Sequence, residues 1–164
     1  MSGERFTLDT NILVYSVAAD ADQRHKLAAE IMELAIAGDC WLTLQSVSEF
    51  YTVVTRKRVL ARDHAAKLAD AWLRVFPIAS ASPQAARAAM TDAVASGASY
   101  WDALLVRTAA EAGCTAILSE DMADGGTPGG LRIVNPFGAT SLTPAAMTVL
   151  AAPVAPIWSS TVPR

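Results

Sequence analysis

The sequence has few of the residues on which many enzymes build their chemistry. It holds only two histidines, His25 and His64, and two cysteines, Cys40 and Cys114, among 164 residues. Both histidines lie in polar helical segments, and no CxxC pair or Cys/His cluster is present, so the pattern supports neither a zinc site nor a histidine-based acid–base mechanism. The isolated cysteines precede apolar runs, which predicts buried free thiols and fits a cytoplasmic location.

Long apolar runs and a basic surplus are also missing. No apolar segment is long enough to cross a bilayer and no apolar signal region opens the chain, so we expect neither a membrane span nor export. The net charge of −3 argues against generic nucleic-acid binding through a basic surface. The sign is uneven, however, with six Lys/Arg residues over 51–74 and six acids over 92–124. A basic flank beside an acidic centre suits a phosphate-bearing substrate at a metal, and the alternative is a solvated basic helix face.

What is present is an alternation of short apolar runs with helical patterns. The runs predict strands over 6–8, 41–44, 75–79, 115–118 and 131–134, and helices over 23–37, 45–58, 63–74, 83–97, 99–113 and 143–150. Strands that alternate with helices imply a parallel sheet covered on both faces. We therefore predict an α/β protein, with three layers (α/β/α) and a central parallel sheet of four to five strands.

The composition changes near the end of the chain. From Ser141 onward the only charged side chain is Arg164, and four of the eight prolines lie there. This change predicts a main domain over residues 1–138 and an Ala/Pro-rich C-terminal extension over 139–164. Beyond Ala151 we expect an extended arm or disorder, in which Trp158 packs on its own domain or on another subunit.

Two acidic residues directly follow predicted strands. Asp9 comes after the first strand and is followed by Thr10 and Asn11, and Asp121 comes after the fourth strand behind Ser119. In an open α/β sheet the ligand crevice lies outside the carboxyl ends of the strands, so both acids would lie at its mouth. Taken alone, Asp9 is more simply explained as a helix cap.

Two further acids fall near the starts of predicted helices. Glu49 stands three residues after Ser46, which is also the pattern of a capping box, and Asp102 stands three residues after Ser99. Taken singly, each is more simply explained by capping or by the helix dipole, which favours a first-turn acid by roughly 0.3–1 kcal/mol. Arg56 lies two turns beyond Glu49 on the same face and is a candidate RNA contact or an exposed side chain.

Taken together, the four acids indicate more than helix capping, because this topology can bring them to one crevice. Two carboxylates about 5 Å apart repel by roughly 3 kcal/mol at an effective dielectric near 20, so clustering would not serve stability. A hard divalent cation offsets the repulsion, and Mg²⁺ or Mn²⁺ prefers carboxylate oxygens. The pattern thus predicts a metal site able to activate water for attack on a phosphoryl group.

The sequence around these acids resembles the PIN-domain nucleases, and within them the VapC-type toxins of bacterial toxin–antitoxin pairs. The matching segments are LDTNIL at 8–13, SEF at 48–50, WDAL at 101–104, LSEDM at 118–122 and VNPF at 134–137. The resemblance implies a Mg²⁺- or Mn²⁺-dependent endoribonuclease that hydrolyses RNA with a metal-activated water. It implies metal ligation by Asp9, Asp102 and Asp121, with Glu49 as a ligand or water-orienting residue.

The same resemblance implies a supporting role for polar residues around the acids, and it implies partners. Thr10, Asn11 and Ser119 fall where polar side chains support such a site, and Asp124 is an accessory acid. The expected partners are an RNA substrate, a cognate antitoxin protein that covers the site, and a second copy of the chain in a homodimer.

Several other classes fit less well. An aspartyl phosphatase requires Asp where this chain has Asn11, and a phospho-receiver domain requires an Asp after the third strand, where none is found. A dinucleotide enzyme requires GxGxxG in the first turn, and that motif is absent there. A catalytically silent PIN-like module that binds RNA or protein, and a DNA 5′-nuclease, stay open as alternatives.

Overall fold

The computed structural model describes residues 3–151 and shows an α/β fold. Five short strands are formed: β1 (Phe6–Leu8), β2 (Leu42–Thr43), β3 (Ile78–Ala79), β4 (Ala116–Leu118) and β5 (Arg132–Val134). The helices are α1 (Thr10–Tyr15), α2 (Gln23–Ala37), α3 (Leu44–Arg56), α4 (Arg62–Val75), α5 (Pro83–Ser96), α6 (Tyr100–Glu111) and α7 (Pro144–Leu150). Two 3₁₀ turns, Ala19–Ala21 and Pro128–Gly130, complete the described elements.

All strand pairs are parallel, as the alternating pattern predicts. β4 pairs with both β1 and β5, and β2 pairs with β3. Phe6 joins the two groups, because its N–H donates to the Asp39 carbonyl at 3.2 Å and its carbonyl accepts from the Trp41 N–H at 2.9 Å. The order across the molecule is therefore β3-β2-β1-β4-β5, and all five carboxyl ends lie at one edge.

The strands are buried on both faces, which confirms the three-layer arrangement. Leu118 of β4 packs in a core with helices α1, α2, α3, α4 and α7, whereas its neighbour Ile117 packs in a second core with Leu105 and Ala109 of α6. Successive strand residues point to opposite faces, so this division of neighbours places helices on each side of the sheet.

Local signals located most helix ends. Ser82 caps α5 by accepting the Ala85 N–H at 2.9 Å, Pro83 takes the first helical position, and Gly97 follows the helix in the left-handed region at φ 69°. Asp22 directly precedes α2 but does not cap it, since it lies at φ 49° after a 3₁₀ turn and its side chain makes no bond to the helix. Val75 is also wrong as a strand residue, since it ends α4.

Packed structure continues beyond residue 138, where the sequence predicts a domain boundary. Thr143 caps α7 by accepting the Ala146 N–H at 3.3 Å, and Ala146, Val149 and Leu150 lie in the main core with Leu142. The boundary itself stays a prediction, and so does the arm that carries Trp158, which lies outside the described residues. No helix within residues 3–151 is long and apolar enough to span a membrane.

Candidate active site

Asp9 occupies the carboxyl end of β1 and begins the site. Its Oδ1 accepts the Thr10 N–H at 2.7 Å, so it does cap α1, and its Oδ2 accepts the Ser119 hydroxyl at 2.7 Å. The side chain is 9% exposed. Burial raises the pKa of Asp9 most strongly, the two hydrogen bonds lower it, and the charges of Asp102 and Asp121 raise it further. Asp9 is thus both a cap and a carboxylate that other acids approach.

Glu49 lies on α3, and its carboxylate contacts Thr10, the residue after Asp9, rather than the N-terminus of α3. Its Oε2 accepts the Thr10 hydroxyl at 2.8 Å, and its Oε1 accepts the Gln45 amide at 3.0 Å. The capping box expected with Ser46 is not formed, because α3 begins earlier, at Leu44, and Thr43 caps it by accepting the Ser46 N–H at 3.1 Å. Glu49 consequently lies in the second turn, where it is free to face the sheet edge.

The start of α3 is tied to the end of β1, which explains how Glu49 reaches the site. The Ser46 hydroxyl is fully buried and donates to the Leu8 carbonyl at 3.3 Å, one residue before Asp9. This bond holds the two segments together at the carboxyl edge of the sheet. A buried side-chain bond to a strand carbonyl satisfies both groups and sets the position of the helix.

Asp102 and Asp121 approach from the other side. Asp102 is in the first turn of α6, and its pKa is raised by partial burial and then by the charges of Glu49 and Asp121. Ser99 precedes that helix but makes no side-chain bond to it. The charges of Asp102 and Asp121 therefore act on Asp9, and those of Glu49 and Asp121 act on Asp102, while the meeting of all four acids at one metal stays a prediction.

Two neighbouring acids are engaged elsewhere. Glu120 forms an ion pair with Arg24 and is also bonded by Tyr15, and these contacts lower its pKa, Arg24 having the larger effect. Asp124 accepts the Asn135 N–H at 2.8 Å, so it holds the chain that follows β5. A supporting contact from Asp124 to the other acids stays a prediction.

The four acids offer the oxygen ligands that a hard divalent cation prefers, although their side chains do not lie close together. Within residues 3–151, no ion pair involves Asp9, Glu49, Asp102 or Asp121. The amide nitrogen and oxygen of Asn11 are buried there without a hydrogen-bond partner. In the same part of the chain, no three Asp, Glu, His or Cys side chains lie close enough to hold a metal ion. Carboxylate oxygens are the ligands that Mg²⁺ or Mn²⁺ prefers, so the chemistry of the four acids fits such an ion, while their spacing in this structure does not form a three-ligand site.

The family of this chain follows from a family model that matches most of the described residues. The PIN domain model matches residues 6–123, a span that begins in β1 and contains all four acids. The chain belongs to the PIN-domain family. No curated protein sequence matches it.

Solved structures of similar fold include a toxin and a toxin–antitoxin complex. The VapC20 toxin of Mycobacterium tuberculosis, named as cleaving the sarcin–ricin loop, is 19% identical with a TM-score of 0.59, covering 71% of this chain and 89% of that one. A toxin–antitoxin complex from Klebsiella pneumoniae is 20% identical with a TM-score of 0.57, covering 80% and 97%. DNA-bound VapBC from Salmonella typhimurium is 15% identical with a TM-score of 0.58, covering 79% and 96%. At these identities the likeness shows a shared PIN fold.

Two cavities flank the acids of this PIN domain. One, of about 710 Å³, is lined by Glu49 together with Arg56 and Trp101. The other, of about 500 Å³, is lined by Asp102 and Asp121. The acids thus stand between two spaces large enough for ligand groups.

Sequence reasoning passed over two residues at this site. Gln45 donates from its amide to both Glu49 and the Trp101 carbonyl, each at 3.0 Å, and so links α3 to α6. Trp101 is 58% exposed although it stands next to Asp102. The position of Trp101 next to Asp102, a candidate metal ligand, could have indicated a role at the site, but only the fold shows that Trp101 faces solvent.

Proposed function

We propose that this protein is a metal-dependent endoribonuclease toxin of the VapC type, which hydrolyses RNA phosphodiester bonds. The observation that carries the proposal is the position of four acids at the carboxyl edge of a PIN-domain sheet, where Asp9 and Glu49 are held through Thr10 and where Asp102 and Asp121 line one cavity. None of the four is ion-paired within residues 3–151. Support also comes from the similar structures, which are named as toxins or toxin–antitoxin complexes.

The residues proposed to hold Mg²⁺ or Mn²⁺ are Asp9, Asp102 and Asp121, with Glu49 as a further ligand or an acceptor that orients water. A bound divalent cation supplies charge stabilisation at the phosphoryl group and lowers the pKa of water. The protein contributes orientation, because Ser119 and the Thr10 N–H hold both oxygens of Asp9.

Thr10 and Asn11 complete the proposed site. The Thr10 hydroxyl holds Glu49 in place, and Asn11, whose amide is buried without a hydrogen-bond partner within residues 3–151, is proposed to support the site beside it. Arg56 is exposed in the cavity that Glu49 lines, where its charge suits an RNA phosphate.

The proposed partners follow from the same comparison. Similar structures contain VapBC complexes, so we propose a cognate antitoxin that covers the acids, and a homodimer of this chain. Sedimentation with and without the neighbouring small protein of the same operon, if one is encoded, measures both assemblies.

The proposal is tested by Mn²⁺ calorimetry and by cleavage assays on single-stranded RNA and on DNA of the same sequence. Wild type should bind Mn²⁺ and cleave RNA, and Asp102→Asn should lose both while circular dichroism shows it folded. Asp63→Asn, which alters an exposed acid on α4, is the matched control and should behave as wild type.

Other outcomes separate the alternatives. Cleavage of DNA alone would indicate a 5′-nuclease-type enzyme. A folded wild type that binds no Mn²⁺ with or without RNA, and cleaves neither nucleic acid, would indicate a silent binding module.

A further inference from the structure

The cavity beside Glu49 has features that the four acids do not explain. It lies between α3 and α6, and its volume of about 710 Å³ is in the range of small-molecule sites. Trp101 lines the cavity and is 58% exposed, although burying the apolar surface of an indole ring lowers the free energy. A mostly apolar cavity with a few polar groups is the usual form of a site for a flat organic ligand.

One side of this cavity is fixed by hydrogen bonds that join α3 to α6. Both hydrogens of the Gln45 side-chain nitrogen are used, one by Glu49 and one by the Trp101 carbonyl, each at 3.0 Å. Leu104 and Thr108 of α6 line the same cavity and are only 7% and 3% exposed. The cavity therefore has a preformed wall beside Glu49.

Trp101 is held firmly rather than projecting as a loose side chain. Its ring meets Tyr100 edge-on with centroids 5.2 Å apart, and its carbonyl is bonded to Gln45. Tyr100 in turn packs against the buried alanines Ala85 and Ala89 of α5. A supported aromatic face is what stacking of a nucleobase requires.

We infer that this cavity is a nucleobase pocket, in which one base of a single-stranded RNA stacks on Trp101 next to the acids. Arg56 lines the same cavity and has the charge to meet the phosphate attached to that base. This inference rests on the proposed RNA substrate, and it assigns base contacts that the acids cannot provide.

A purely apolar protein surface fits the cavity less well. Apolar contact across the cavity would bury the charge of Arg56, which lines it. A nucleotide offers a flat apolar face for Trp101 and a phosphate for Arg56, so it matches both features.

The test is RNA binding in EDTA, which separates it from cleavage. Fluorescence anisotropy would compare labelled octamers of uridine, adenosine and cytidine with an octamer of base-free ribose phosphates. We expect wild type to bind at least one base-bearing octamer about 10-fold more tightly than the base-free one, a factor within the range of base–aromatic stacking. Trp101→Ala should lose that preference and keep its affinity for the base-free octamer, whereas Trp101→Phe should retain it.

Matched variants separate the base contact from charge and from general damage. Arg56→Ala should weaken all octamers by a similar factor and reduce the salt dependence, and Arg87→Ala, an exposed arginine of α5, should not. Ile36→Ala on α2, where the side chain is 60% exposed, should bind as wild type.

Three results would overturn the pocket. These are unchanged base preference in a folded Trp101→Ala, an equal loss for base-bearing and base-free octamers, or a changed oligomeric state of Trp101→Ala in sedimentation, which would make the face a contact between copies. The proposed function fails separately: base-dependent binding without Mn²⁺-dependent RNA cleavage would leave the pocket in place, and cleavage with unchanged Trp101→Ala binding would leave the nuclease in place.

Discussion

The hydroxyl of Ser119 donates a 2.7 Å hydrogen bond to Oδ2 of Asp9, across 110 positions of sequence. The bond joins the ends of β4 and β1, which are neighbours in the sheet. It opposes the effect of burial on the pKa of Asp9, since a hydrogen bond to a carboxylate favours the charged form. Ser119 therefore keeps a buried acid oriented and closer to its charged state.

Loss of this bond should weaken the proposed metal site without unfolding the protein. Ser119→Ala leaves only the Thr10 N–H to hold Asp9 and raises the pKa of Asp9, so we expect Mn²⁺ affinity to fall by about 10-fold, as is typical when a group supporting a metal ligand is removed. Calorimetry measures the change, with Ser141→Ala, at an exposed serine ahead of α7, as control. Equal affinity in Ser119→Ala and wild type would show that the bond has no part in metal binding.

Repulsion among the acids should be visible in the metal-free protein. Asp102→Asn removes a charge that faces Glu49 and Asp121, so without metal its melting temperature should equal or exceed that of wild type. Added Mn²⁺ should raise the melting temperature of wild type only, because ligand binding to the folded state stabilises it. A large loss of stability in metal-free Asp102→Asn would contradict a repulsive cluster.

Two adjacent acids should differ sharply in their roles. Arg24 neutralises Glu120, whereas Asp121 has no ion-pair partner in the described part of the chain. Glu120→Gln should retain Mn²⁺ affinity and change the free energy of unfolding by at most about 1 kcal/mol, as for an exposed ion pair. Asp121→Asn should lose Mn²⁺ binding. If both variants bind Mn²⁺ equally well, the assignment of Asp121 as a ligand is wrong.

The raised pKa of Asp9 predicts a pH dependence of stability in EDTA. The folded chain holds the Asp9 proton more tightly than the unfolded chain, whose pKa is near 3.8. The resulting stabilisation is complete below that value and is lost as pH rises through the folded pKa. The free energy of unfolding of wild type relative to Asp9→Asn should therefore decrease from about pH 4 upward, over the range where the two states differ in protonation.

Urea unfolding of the two proteins at matched pH values measures this difference. Subtracting Asp9→Asn removes the contribution of ion-paired acids such as Glu120, whose lowered pKa acts in the opposite direction. A difference that stays constant with pH would mean that the pKa of Asp9 is not raised.

The last helix should contribute to the stability of the domain. Leu150 of α7 is 2% exposed in the main core, and Met147 of the same helix is 45% exposed. Leu150→Ala should lower the free energy of unfolding by roughly 2–5 kcal/mol, because it removes buried carbon and leaves a cavity. Met147→Ala, measured in the same urea titration, should change it little. Similar small effects of both would show that α7 is not part of the cooperative unit.

The sequence by itself determined the strand and helix order, and much of the site. Apolar runs ending in Asp9 and Asp121 were enough to place both at strand ends, since the carboxyl ends of parallel strands share one edge. Ser82, Pro83 and Gly97 marked both ends of α5 through local bonds and backbone angles that depend only on nearby residues. These features are local, so a pattern of residues can reveal them.

Only the tertiary structure decided what depends on residues distant in sequence. The capping box with Ser46 that the local pattern favoured for Glu49 is not formed, because α3 begins at Leu44 and Glu49 instead contacts Thr10 and Gln45. Likewise, the sequence does not show whether Trp101 is buried, and the meeting of α3 and α6 leaves it at a cavity wall, 58% exposed. Exposure and pairing are set by which segments pack together, and that information is absent from any short stretch of chain.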